Sequence, residues 1–277
     1  MDLSTPRTVS QASSSRLGPW PVILLKILLP ISVASVSLAL LTSQATPTIP
    51  QADFASHYSC MPPVHTVRIL SYEPLILHIE NFLTETERKY LHQLATPHYK
   101  NSTTYTLNGT EIASGARTST SAFLPFDDGV VSCITQRAAE FQGFESVANV
   151  ESIQATKYEE GQQFKPHYDW FLPKERNLSL NRASTFFAIL AANCTNCGTI
   201  FPRLLYDWER EDEKLCKYVE CGQKSLVVKP IPGSAIFWRN LHENGTGNKL
   251  TWHAGLPVLD GTKVGLNIWT RTNVSDS

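Results

Sequence analysis

From residue 151 onward the apolar residues of this chain come in short runs: ESIQATKY (151–158), ASTFFAIL (183–190), SLVVKP (225–230), SAIFW (234–238) and VGLNIW (264–269). Gly, Pro and Asn punctuate the gaps between them. A buried helix needs roughly 10–12 residues, so runs this short predict strands. Before them, ILHIENF (76–82) alternates and also reads as a strand. TETERKYLHQLA (84–95) reads as a helix. Thr84 is its N-cap, Glu87 its capping-box partner, and Leu91 and Leu94 lie on its apolar side. A second helix fits residues 130–144. Two helices followed by many short strands predict a mainly β fold, a helix-buttressed sandwich or jelly roll.

The N-terminus sets the compartment. WPVILLKILLPISVASVSLALL (20–41) is 22 residues long and the most apolar stretch in the chain. About 20 such residues span a bilayer. Arg7, Arg16 and Lys26 precede it or lie early in it, and the next charge is Asp53. The positive-inside tendency predicts a cytosolic tail (1–19), a signal-anchor transmembrane helix (20–41), a lumenal stem (42–66) and a globular domain (67–277). A cleaved signal peptide is the competing reading, because Lys26 shortens the unbroken run and Ser43-Gln44-Ala45 has the small-x-small form of a cleavage site. The long leader and the ability of Lys26 to snorkel favour the anchor. Either way, residues 46–277 enter the secretory pathway. A single-pass type II protein of the endoplasmic reticulum or Golgi is expected; the chain ends NVSDS, with no retention tetrapeptide to choose between them.

Two features agree with a lumenal domain. Six of the thirteen Asn residues begin N-x-[ST] sequons. Asn101, Asn108, Asn177 and Asn244 are the glycosylation candidates, while Asn193, beside Cys194, and Asn273, near the end, are expected to stay unmodified. The six cysteines are an even number, which in an oxidising compartment favours disulfides. Cys194, Cys197, Cys216 and Cys221 are the disulfide candidates; a four-thiolate zinc site is the alternative. The segment 203–224, charged and Cys-bearing, reads as a solvated loop stapled by disulfides. A net charge of −1 argues against nucleic acid as a partner.

The chemistry concentrates at FKPHYDWF (164–171). His167 and Asp169, two apart on a strand, share a face. An imidazole and a carboxylate on one face can bind one metal ion, and a second His completes a set that leaves open positions for O2 and a chelating cosubstrate on non-haem Fe(II). Candidates for that His are His57 and His65 in the stem, His78 on an early strand, His92 and His98 on a helix and its end, His242 in a turn, and His253 at a strand end. Lys263, ten residues after His253, enters an apolar strand. Burying a lone ammonium is costly without an anion, and a dicarboxylate would supply one.

The order and spacing of these pieces resemble the 2-oxoglutarate- and Fe(II)-dependent dioxygenases, specifically the prolyl 4-hydroxylase catalytic domain. The matching segments are YEEGQQFKPHYDWF (158–171), RASTFFAILAANCTNCGTIFP (182–202), VVKPIPGSAIFW (227–238) and WHAGLPVLDGTKVGLNIW (252–269), with ARTSTSAFLP (116–125) ahead of them. Ordered motifs at consistent separations are far more specific than any one of them. The resemblance spans about residues 68–271 and implies a double-stranded β-helix. It implies iron ligands His167, Asp169 and His253, with no catalytic residue beyond them. Lys263, Tyr158 and Thr199 would hold 2-oxoglutarate, and Arg117, Arg182 and Trp269 would lie near a peptide groove. The implied partner is a proline-containing peptide or protein. The implied reaction consumes O2, hydroxylates the peptide and releases succinate and CO2, with ascorbate as an accessory reductant.

The sequence departs from the family in two places. A Gly-Gly pair commonly precedes the Thr-x-Phe-Pro element, where this chain has Asn196-Cys197-Gly198; and Phe164 stands where many members carry Tyr. Two other readings compete: the same chemistry on another residue or a small molecule, and a non-catalytic jelly-roll glycoprotein. The complete set of two His, one Asp and one Lys argues against the latter, because a binding module has no need of all four.

Overall fold

The computed structural model describes residues 51–105, 111–113, 115–172 and 180–273. The tail and signal anchor read at 1–41, and the sequons at Asn108 and Asn177, lie outside the described residues. Among the described residues no helix is long and apolar enough to cross a membrane. The α-helices are α1 (Gln51–Ser56), α2 (Glu85–Ala95) and α3 (Gly129–Phe141). The early strands are β1 (Thr66–Tyr72), β2 (Leu75–Glu80), β3 (Lys100–Asn101), β4 (Thr103–Tyr105), β5 (Glu111–Ala113) and β6 (Thr120–Phe123). Then follow β7 (Gln154–Glu159), β8 (Phe164–His167), β9 (Leu180–Ala192), β10 (Thr199–Leu205), β11 (Ser225–Val228), β12 (Ala235–Arg239), β13 (His253–Gly255) and β14 (Thr262–Asn273).

The strands form an eight-stranded sheet, ordered β1-β2-β12-β9-β14-β7-β6-β3, and a four-stranded sheet, ordered β11-β10-β13-β8. Pairing within both is antiparallel. A short ribbon joins β4 and β5. The run ASTFFAIL has no polar face because β9 is covered on both sides. Phe186, Ala188 and Leu190 pack in a cluster with Leu91 of α2 and Val130, Ile134 and Ala138 of α3. Phe187 and Ile189 point the other way, toward Phe201, Leu226 and Val228 of the smaller sheet. This is a mainly antiparallel β fold in two layers with helices on the outer face, as in a jelly-roll core.

Local signals place both helices. The Thr84 side chain accepts from the Glu87 amide and Glu87 returns a bond to the Thr84 amide, so the capping box forms. Asp128 caps α3 through the amides of Val130 and Val131. The second helix ends at Phe141, three residues before the expected end at 144, because Gly143 (φ 90°) and Phe144 (φ 63°) leave the helical region.

The expected stem boundary near residue 67 falls inside the folded unit. Residues 51–65 dock on the helices: the Phe54 and Tyr90 rings lie 5.1 Å apart, Tyr58 donates to Glu87 at 2.7 Å, and a disulfide joins Cys60 to Cys133. Glu87 is also the buried partner of Arg137 at 2.6 Å, tying α2 to α3. These partners are distant in sequence, so local pattern does not reveal them. The other cysteines pair as Cys194–Cys197 and Cys216–Cys221, which leaves no thiolates for the alternative zinc reading.

His78 on β2 is buried beside Tyr218, with ring centroids 4.6 Å apart and neither ring nitrogen hydrogen-bonded. Burial pushes it down to about 4, with Lys217 and Arg68 acting the same way and Glu80 opposing. The unfolded chain therefore takes up a proton that the folded chain refuses. Stability contributed by the neutral ring is full above about pH 6.5 and is lost as pH falls toward 4, roughly 3 kcal/mol in all. His78→Phe should flatten that part of the stability–pH curve, as read by denaturant unfolding between pH 7 and 4.

Candidate active site

β8 and β13 are neighbours in the smaller sheet, and their register sets His167 directly opposite His253. Asp169 follows two residues after His167. One ligand atom from each of His167, Asp169 and His253 lies within 4.8 Å of the others. His167 Nε2 is 3.6 Å from Asp169 Oδ1, and His253 Nε2 is 3.9 Å from Asp169 Oδ2. Asp169 and His253 are buried and His167 is half-buried.

Both imidazoles are held by the same local device. His167 Nδ1 bonds the Lys165 carbonyl at 2.8 Å and His253 Nδ1 bonds the Thr251 carbonyl at 2.9 Å. A carbonyl only accepts, so each Nδ1 carries a proton, which leaves each Nε2 as the atom that faces Asp169 and can ligate. Burial and the neighbouring His253 push His167 down to about 3, which keeps its ring neutral. For Asp169, burial acts upward, but His253, His167 and Arg182 outweigh it and hold the carboxyl below its ordinary range. Two imidazole Nε2 atoms and one carboxylate, converging within 4.8 Å, fit a divalent metal. Phe201 and Trp238 pack beside His253, at 5.7 and 4.8 Å between ring centroids, and shield it from water.

A relay stands behind the carboxylate. Asn240 Nδ2 donates to Thr185 Oγ1 at 2.8 Å, and Thr185 Oγ1 donates to Asp169 Oδ2 at 2.7 Å. The Thr185 hydroxyl has one proton. Because it accepts from Asn240, that proton is committed to Asp169. All three side chains are buried. Such partners orient a metal ligand and typically contribute 10–100-fold in affinity. Thr185→Ala is expected to weaken Mn(II) binding by about that factor, with Thr185→Ser restoring most of it, as measured by calorimetry. Sequence reading missed Thr185 and Asn240; they meet only because β9 pairs with β12.

Beyond this cluster lies a buried cation. Lys263 on β14 is 1 % exposed. Its Nζ donates to the Cys197 carbonyl at 2.5 Å and lies 4.9 Å from the centre of the Tyr158 ring. Burial alone pushes Lys263 down to about 7. Tyr158 faces Lys263 across the β7–β14 pair, and burial raises its hydroxyl. Thr199 is buried on β10 opposite Gly255. A Cβ placed on Gly255 would sit 3.8 Å from both Lys263 Nζ and the Tyr158 hydroxyl, so the glycine leaves the space beside them free. The donor set suits a carboxylate.

The remaining candidates divide into two groups. Arg182 forms a two-pronged pair with Glu151 at 2.7 and 2.9 Å, and its guanidinium stacks 3.8 Å over Trp269. Arg117 is buried, donating to Gln154 at 2.8 Å and Thr156 at 3.0 Å. It lies 4.9 Å over the Phe164 ring, which in turn stacks 3.5 Å from His167. Phe164 thus forms a wall between Arg117 and the cluster, a role for the ring that sequence did not reveal.

Comparison with known proteins gives concordant results. Residues 153–271 match the family model described as the 2OG-Fe(II) oxygenase superfamily. The Arabidopsis thaliana protein named "Probable prolyl 4-hydroxylase 10" is 32% identical over 215 residues, covering 75% of this chain and 72% of the relative. "Prolyl 4-hydroxylase 5" of the same plant is 31% identical over 211 residues, covering 73% and 70%. The solved structure of a viral collagen prolyl hydroxylase of Paramecium Bursaria Chlorella virus-1, in its 2OG complex, shares the fold with a TM-score of 0.51 at 23% identity. That alignment covers 71% of this chain and 96% of that one.

Proposed function

We propose, because this chain belongs to the 2OG-Fe(II) oxygenase superfamily as a prolyl 4-hydroxylase-like dioxygenase, that it hydroxylates proline residues of peptide or protein substrates. The observation that carries the reading is the convergence of His167, Asp169 and His253 within 4.8 Å. The buried cation Lys263 supplies the second half of the site. Bound Fe(II), with 2-oxoglutarate and O2, supplies the oxidising chemistry, which converts 2-oxoglutarate to succinate and CO2 and inserts one oxygen into a substrate C–H bond.

This chain's residues position those participants. His167, Asp169 and His253 would hold the metal. Lys263 neutralises the distal carboxylate of 2-oxoglutarate, with Tyr158 and Thr199 beside it. The stacked pair of Arg182 and Trp269 is assigned to the peptide side, with Arg117 placed behind Phe164. Ascorbate completes the proposed set as reductant.

We place the enzyme in the secretory pathway, anchored through residues 20–41 with the domain lumenal. The three paired disulfides suit an oxidising compartment. The sequons at Asn101 and Asn244 are exposed and suit glycosylation.

The test is 2-oxoglutarate turnover with Fe(II), alone and with panels of Pro- and Lys-containing peptides. Stimulation by Pro peptides is expected. Stimulation by Lys peptides alone would contradict the assignment of proline.

A further inference from the structure

The Cys194–Cys197 disulfide closes the turn between β9 and β10, at the place where the family commonly carries two glycines. It is part of the cosubstrate wall. Cys197 is 1 % exposed and clusters with Cys194, Tyr158, Val258 and Phe164. Its carbonyl is the one that receives the Lys263 ammonium.

The turn is also stitched to the segment that leads into Lys263. The Thr195 amide and hydroxyl donate to Asp260 at 2.7 and 3.1 Å. The Thr262 amide donates to Asn193 Oδ1 at 2.8 Å. On the far side, Gly198 lies so close to β11 that a Cβ there would meet Val227 and Val228 at 2.9 Å. Thr199 follows directly. Cystine, carbonyl and Thr199 therefore form one fixed unit around the ammonium.

We propose that the Cys194–Cys197 disulfide is a positioning device for the cosubstrate, fixing the Cys197 carbonyl and Thr199 around Lys263 so that the pocket is formed before a dicarboxylate enters. The inference rests on Lys263 being the group that receives 2-oxoglutarate. An unbridged turn samples other conformations, with Asn196 in the left-handed region (φ 53°) as an easy point of departure. Apparent affinity falls in proportion to the fraction of molecules with a competent pocket. A pocket formed in about one molecule in ten would raise the requirement for 2-oxoglutarate about tenfold.

The experiment uses the full chain and compares wild type, C194S/C197S, C216S/C221S and K263A. For C194S/C197S the KM for 2-oxoglutarate should rise about tenfold with kcat within about twofold. Calorimetric binding of 2-oxoglutarate to the Mn(II)-loaded protein should weaken by the same factor. C216S/C221S, whose bridge closes a loop on β11 and not the turn that carries Cys197 and Thr199, should keep the wild-type KM.

A wild-type KM in C194S/C197S beside a raised KM in K263A would overturn the disulfide's role. So would a fall in kcat at constant KM. An unchanged KM in K263A would instead remove the premise. If the serine pair does not fold, wild-type protein reduced by a dithiol and alkylated, with modification mapped to Cys194 and Cys197 by mass spectrometry, gives the same two readings.

Discussion

His253→Ala abolishes turnover, by at least about 10³-fold, while the protein keeps its fold. His253 supplies one of the three donors in the cluster and the only one from β13. A bound metal provides several kcal/mol of charge stabilisation, and each 1.36 kcal/mol is tenfold in rate. The fold survives because the sheet register at β13 is made by backbone, including the β10 pairs at Ala254 and Gly255. Far-UV circular dichroism should match wild type, and Mn(II) binding should be lost with activity. Retained turnover would mean that the donor set is wrong.

Lys263→Met raises the KM for 2-oxoglutarate by at least about 30-fold, since truncating one partner of a buried, hydrogen-bonded charge pair costs roughly 2–5 kcal/mol. The same substitution acts in the opposite direction on the metal-free, cosubstrate-free protein. Lys263 sits near 7 in the folded chain and at its ordinary 10.5 when unfolded. Between those values the unfolded chain holds a proton that the folded chain lacks, so stability falls as pH drops from 10.5 to 7 and stays low below that. Lys263→Met removes this penalty and should raise the thermal midpoint at pH 7. A lower midpoint with an unchanged KM would make Lys263 a structural residue. The combination of weaker cosubstrate binding and a more stable free protein is what a functional buried ammonium predicts.

Local signals were readable in the sequence and long-range ones were not. The Thr84–Glu87 capping box spans three residues and forms as read. His167 and Asp169 do converge, but β8 ends at His167 and Asp169 lies in the bend after it, so the strand period expected from sequence is not what brings them together. The short apolar runs read as strands because β9 is buried on both sides and its neighbours are brief. His253 was one of several His candidates until the resemblance singled it out, because its approach to His167 depends on the β8–β13 pair.

The Thr185–Asn240 relay joins residues 55 apart in the chain, and Cys60–Cys133 joins residues 73 apart. No local pattern encodes either. Arg117 read as a groove residue, and its bonds to Gln154 and Thr156 were not readable beside that. A charged side chain on a polar segment gives no sign of such partners. Residues 51–65 read as stem for the same reason: Phe54, Tyr58 and Cys60 become informative only beside Tyr90, Glu87 and Cys133.

The most direct test of the central claim is mass analysis of a proline-containing peptide after turnover with Fe(II), 2-oxoglutarate and isotopically labelled O2. One labelled oxygen atom on the proline, formed in step with succinate and lost in His253→Ala, is the predicted result. Succinate formed without any oxygen transferred to proline, across a panel of Pro peptides, would contradict it.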